Sequence, residues 1–153
     1  MADIRLVQKG HILQEAGQNR MKVYNVNKGL LRSFFTEENG KEHNFMFAPE
    51  GWIIADLDGI SFGNASRLTI EALEESEVEI MEYAELGQND WQQEFRRMTR
   101  RSGTLQRRVL MLMSTSALER YEYFLELYPN LSHRLKQSHI ASYVGITPQA
   151  LSK

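Results

Sequence analysis

Cysteine is absent from this 153-residue chain, which excludes disulfides, thiolate-held iron–sulfur clusters and cysteine nucleophiles. Histidine is scarce: His11, His43, His133 and His139 stand on four separate segments, whereas a metal centre needs several ligands converging on one ion. No metal, iron–sulfur or haem group is expected. No apolar run approaches the roughly 20 residues of a membrane span, and the opening MADIRLVQKG lacks the apolar stretch of a signal peptide. A cytoplasmic protein is the expectation. No Ser-His-Asp set, paired catalytic carboxylates or glycine-rich phosphate loop stands out, so no chemistry supports an enzyme.

What remains has the composition of a globular chain, with 42% hydrophobic and 25% charged residues. Its length allows one core of ordinary size, or a core of about 90 residues with a small appendage. The net charge of −2 hides a split. Up to Asp90 there are 8 basic and 16 acidic residues, and beyond it 10 basic and 4 acidic, giving −8 and then +6. A basic last third is what a phosphate backbone attracts, although arginine-rich faces are also ordinary solvated helix surface.

Short apolar or alternating runs fill the first half: HILQE, MKVYNVN, GLLRSFFT, EHNFMFA, RLTIEAL and EVEIMEY. Punctuated by glycine, they predict several short strands in a sandwich or roll. ENGKE at 38–42 predicts a hairpin, with Asn39-Gly40 supplying the positive φ values of a type I′ turn. Alternation of Leu31, Ser33 and Phe35 with Arg32, Phe34 and Thr36 predicts one wetter face on that hairpin.

After Gly87 the period changes. Trp91, Phe95, Met98, Ser102, Leu105, Val109, Leu112 and Ser116 fall at alternating steps of four and three, a heptad seam that predicts a long helix paired with a second copy. A helix packed on its own domain is the alternative. Arg96, Arg97, Arg100, Arg101, Arg107 and Arg108 lie off the seam, facing water or an anion. In SALERYEYFLELYP a further helix is predicted, with Ser116 as cap, Glu119 at the capping-box spacing and Pro129 as stop. Leu118, Tyr121, Leu125 and Tyr128 share one face and are expected to be core.

KQSHIASYVGITPQALSK carries the functional signal. A helix-turn-helix needs a small residue where its helices cross, a residue tolerant of positive φ in the turn, and apolar locks. Ala141, Gly145, and Ile140, Val144, Ile146 and Leu151 fill those places. Thr147 is a natural N-cap and Pro148 a natural first helical residue. Thr147, Gln149, Ala150, Ser152 and Lys153 are therefore the candidate DNA-binding residues. Glutamine can bond adenine bidentately, alanine can meet a thymine methyl, and serine and lysine more often hold phosphate. A plain corner of two helices is the bland alternative.

These segments together resemble the Crp/Fnr family of bacterial transcription regulators, the cyclic-AMP receptor type. KGHILQEAGQ, NKGLLRSFFTEENGKE, PEGWI, the long helix, SALERY and the last motif carry the resemblance over nearly the whole chain. It implies an α+β fold: a double-stranded β-helix, or jelly roll, of the cyclic-nucleotide-binding kind, then a dimerisation helix, then a helix-turn-helix. The expected divisions are a sensor domain at 1–88, a dimerisation helix at 89–114 and an incomplete DNA-binding domain at 115–153. Implied partners are DNA, a second copy, RNA polymerase and an unidentified small effector, with no membrane.

The resemblance departs at two places. In family members that bind cyclic nucleotides, the phosphate cassette reads approximately Gly-Glu-Leu and then Arg-Ser-Ala. Ala55-Asp56-Leu57 and Ser66-Arg67-Leu68 stand at the matching positions, so Arg67 is shifted by one residue, which in a strand turns a side chain to the other face. That argues against a cyclic nucleotide as effector. Asp56, Ser66 and Arg67, roofed by Leu105 and Gln106, remain the candidate effector pocket, or else are turn and surface residues. The second departure is at the ends, where the family has a helix before the first strand and more recognition helix plus a wing; the chain is expected to stop within its recognition helix. Rival functions are a nucleotide-sensing module acting through protein contacts, and a cupin-type metal enzyme, for which EHNFMFAPEG offers a single histidine.

Overall fold

A computed structural model describes residues 2–85, 90–113 and 116–152, which fall into two units, one either side of Leu86 and Gly87. In the first, alternating sequence becomes eight strands: β1 (Asp3–Val7), β2 (Ile12–Gln14), β3 (Val23–Lys28), β4 (Leu31–Thr36), β5 (Glu42–Ala48), β6 (Ile53–Ile54), β7 (Thr69–Ala72) and β8 (Ser76–Met81). They form two antiparallel sheets of four, ordered β1-β8-β3-β6 and β2-β7-β4-β5. Tyr24, Val26, Ile54 and Val78 of one sheet and Leu31, Met46, Ala48, Ile70 and Ala72 of the other share one core. This is the jelly roll that the resemblance implies. β1 and β6 were not foreseen; β1 alternates, but its apolar Ile4 and Leu6 are exposed.

Closure of the roll depends on Gly29. Its φ is +104°, and a Cβ there would stand 2.2 Å from Ser76 Oγ, the atom that accepts the Leu30 N–H at 3.1 Å. Only glycine permits that approach.

The hairpin of β4 and β5 differs from its expected form. Among the described residues no non-glycine has positive φ, so Asn39 cannot take its part in a type I′ turn. Instead the Gly40 N–H donates to Glu37 O, the Glu37 N–H donates to Lys41 O, and Gly40 alone turns left-handed, at φ +87°. That is a three-residue loop closed by a bulge. Nor is one face wet along β4, because Leu31 to Phe34 are all buried. Arg32, 5% exposed, is covered by its own partners: Glu42 at 2.9 Å, Glu71 at 3.3 Å, Asn44 Oδ1 at 3.0 Å, and the Phe34 ring 3.8 Å from its guanidinium carbon. An ion-pair network thus buries Arg32, a residue whose type alone would place it in water.

Between β6 and β7 lies one short helix, α1 (Leu57–Phe62), ended by Gly63 at φ +72°.

The second unit is helical: α2 (Trp91–Met113), α3 (Ala117–Leu127), α4 (Gln137–Val144) and α5 (Pro148–Leu151). At 23 residues α2 is about 34 Å long. Ser116, placed at the end of the seam by spacing, lies outside α2 and caps α3, its Oγ accepting the Glu119 N–H at 3.3 Å. α3 packs on α2, α4 and α5. Phe124, Tyr128 and Tyr143 form its aromatic centre, with ring centroids 5.6 to 5.8 Å apart. Leu118, expected in this core, is exposed, and Phe124 takes the central place. No helix among the described residues is long and apolar enough to cross a membrane.

Candidate nucleic-acid interface and effector pocket

Local chemistry builds the helix pair. α4 ends at Gly145, left-handed at φ +73°, where a Cβ would be strained. Two residues later Thr147 is extended and its Oγ1 accepts the Ala150 N–H at 3.1 Å, with Pro148 in the first turn. Ile140, Ala141, Tyr143 and Val144 are buried, and Ile146 and Leu151 half-buried. Gln149, Ala150 and Ser152 are exposed. Ser152 Oγ donates to Gln137 Oε1 at 3.2 Å, tying the end of α5 back to the start of α4. Lys153 lies outside the described residues.

On α2, the seam positions Trp91, Phe95, Ser102, Val109 and Leu112 are exposed, while Met98 and Leu105 are half-buried. Trp91 and Phe95 leave two-thirds of their surface open, at 67% and 66%. The opposite side buries Thr104 and Met111. Not all the arginines stay in water: Arg108 is half-buried, its guanidinium 4.3 Å from the Tyr143 ring centroid, and Arg97 meets Glu94 at 3.3 Å. Burial pushes the Arg108 pKa down from its ordinary value, against the pull of Tyr143 and Tyr128.

In the first unit the cassette brings Asp56 and Ser66 together. Asp56 Oδ1 accepts the Gly59 N–H at 3.0 Å and so caps α1. Its Oδ2 accepts from Ser66 Oγ and the Arg67 N–H, both at 2.9 Å, and from the Leu68 N–H at 3.2 Å. Burial alone would raise this carboxyl's pKa; the four hydrogen bonds outweigh it and hold the group below its ordinary value. Arg67 joins the cluster through its backbone only, its side chain being exposed. Leu105 and Gln106, assigned to the same pocket, stand on α2 in the other unit, half-buried and exposed.

Sequence reading missed Gln14. It is buried, donates to Ser66 Oγ at 2.8 Å, and stands across β7 from Ser33, both paired in register with Ile70. Gln14 Oε1 and Ser33 Oγ are buried without hydrogen-bond partners among the described residues. The inward place of Gln14 in HILQE is the one signal that could have marked it. Arg120 was also missed; it appeared only as part of SALERY.

No family model and no curated protein sequence matches the chain. Solved structures do. FixK2 from Bradyrhizobium japonicum superposes with a TM-score of 0.77 at 21% identity, covering 99% of this chain and 81% of that one. A CRP/FNR-family transcriptional regulator from Thermus thermophilus, TTHA1359, gives 0.76 at 17% identity over 98% and 82%. The c-di-GMP-responsive global regulator CLP of Xanthomonas campestris gives 0.75 at 13% over 99% and 83%. Jelly roll, long helix and capped helix pair, matched over almost the whole chain, give this protein the fold of the Crp/Fnr transcription regulators.

Proposed function

We propose that this protein is a DNA-binding transcription regulator of the Crp/Fnr type, a homodimer whose β-roll senses a small effector. The helix pair carries the proposal: a left-handed glycine, a threonine cap and an exposed first turn at Gln149 and Ala150, in a unit with excess positive charge. Such a turn offers its side chains to base edges in the major groove. Gln149 and Ala150 read bases; Ser152 and Lys153 approach phosphate. Thr147 acts by capping, since its hydroxyl is engaged there.

Dimerisation is supported by the apolar side chains that α2 exposes at heptad spacing, Trp91, Phe95, Val109 and Leu112. Residues 1–88 then sense, 89–114 pair, and 115–153 bind DNA in the cytoplasm. Effector sensing is supported by Gln14 Oε1 and Ser33 Oγ, buried polar atoms on the roll's inner face that a ligand donor could satisfy. With the Asp56 carboxylate already committed, the effector class that fits is a small uncharged molecule with hydrogen-bonding groups.

The test is selection of the full-length protein on random duplex DNA, then anisotropy titration at two salt concentrations. A palindromic site with half-sites about one helical turn apart is expected. Binding that is equal on all sequences overturns the proposal.

A further inference from the structure

An α-helix leaves its last four carbonyls without partners inside the helix. In α4 they belong to Ala141, Ser142, Tyr143 and Val144. The Ala141 carbonyl is met from within the motif, by the N–H groups of Gly145 and Ile146. Two of the others are met by arginines from neighbouring helices. Arg108 of α2 donates to Tyr143 O at 3.3 Å. Arg120 of α3 donates through Nη1 to Val144 O at 3.3 Å and to Gly145 O at 3.2 Å.

Arg120 does more than cap. Its other terminal nitrogen, Nη2, donates to Leu112 O at 3.2 Å, in the last turn of α2. One planar guanidinium on α3 thus joins the end of α2 to the turn between α4 and α5. Electrostatics favour the arrangement, because the carbonyl ends of two helices, α2 and α4, present their negative poles to one fixed cation. Packing closes it further: a Cβ on Gly145 would stand 3.3 Å from Arg120 Nη1 and 3.4 Å from Leu112 Cδ2. The turn, the arginine and the end of α2 are therefore in direct apposition.

We propose that Arg120 is a positioning residue that fixes the angle between α2 and the α4–α5 pair, and so sets the half-site separation a dimer accepts. This rests on the reading of α2 as the dimer helix and α4–α5 as the DNA-reading pair. In such a dimer the two recognition helices are rigidly spaced only if each is rigidly held to the seam. Half-sites at the wrong separation then cannot both be engaged, and the advantage of divalent binding is lost.

Lysine separates the two tasks of the guanidinium. One ammonium can reach the two turn carbonyls that Nη1 serves, but it lacks the second, rigidly placed nitrogen that reaches Leu112 O. Arg120→Lys should keep the cap and lose the tether.

The experiment begins with the full-length parent and its selected operator; a parent that selects no sequence overturns the DNA-binding reading, and the proposal with it. Given an operator, the parent, Arg120→Lys and Arg120→Gln are titrated against the natural site, sites with one base pair added or removed, and a single half-site. Thermal unfolding of each is recorded alongside. For Arg120→Lys, unfolding and half-site affinity close to the parent's are expected, with the preference for natural over altered separation falling about tenfold. Arg120→Gln should show the same relaxation with lower thermal stability. If Arg120→Lys keeps the parent's spacing preference, or if affinity falls equally on every DNA including the half-site, Arg120 is a structural cap only and the proposal is overturned.

Discussion

Replacing Asp56 by alanine tests whether its carboxylate is a structural staple or is available to a ligand. Four donors meet it: the N–H groups of Gly59, Arg67 and Leu68, and the Ser66 hydroxyl. Two have a substitute, since Ser66 Oγ also lies 2.8 Å from Leu68 O, and the Leu68 N–H lies 3.2 Å from Ser66 Oγ. The Gly59 and Arg67 N–H groups lose their acceptor. A buried donor left unsatisfied costs about 1–3 kcal/mol, and water reaches Arg67 more easily, so the total is about 2–4 kcal/mol. Trp52 lies in the first unit and Trp91 in the second, so in a Trp91→Phe background tryptophan fluorescence follows the β-roll alone. With a urea slope of about 2 kcal/mol/M, the midpoint should fall by about 1–2 M. The pH dependence has a definite sign. A carboxyl whose folded pKa is depressed contributes stability that is complete above its unfolded pKa, about 3.9, and is lost as pH falls through the lower folded value. The gap between parent and variant should therefore be constant from about pH 7 to 5 and shrink below about pH 4. A midpoint shift under about 0.5 M, unchanged by pH, would refute the staple and leave Asp56 free to face an effector.

Two further outcomes follow from the same geometry. Leu105→Glu with Val109→Glu should bury charges against their symmetry mates at a cost of roughly several kcal/mol, giving monomers by sedimentation; a dimer at micromolar concentration would mean the seam is misassigned. Calorimetry should detect no micromolar binding of cyclic AMP or cyclic GMP, because Asp56 already occupies the amides of Gly59, Arg67 and Leu68 and sets a fixed negative charge against any phosphate; micromolar binding of either nucleotide would refute that.

Local order in this chain set what could be read from it. The helical period of α2, the cap at Ser116, the left-handed Gly145 and the Thr147-Pro148 start of α5 each rest on local spacing and side-chain chemistry, so the sequence determines them directly. The division of charge at Asp90 is likewise a property of sequence alone. Tertiary structure decided what depends on distant neighbours. Arg32 is polar by type yet buried, because Glu42, Asn44 and Glu71 arrive from two other strands to neutralise and cover it. The Asp56 carboxylate is buried, and only the fold brings donors from residues 59, 66, 67 and 68 onto it. Arg120 stands 24 residues from Val144, and no period links them; only the packing of α3 on α2 and α4 brings one guanidinium within reach of both helix ends.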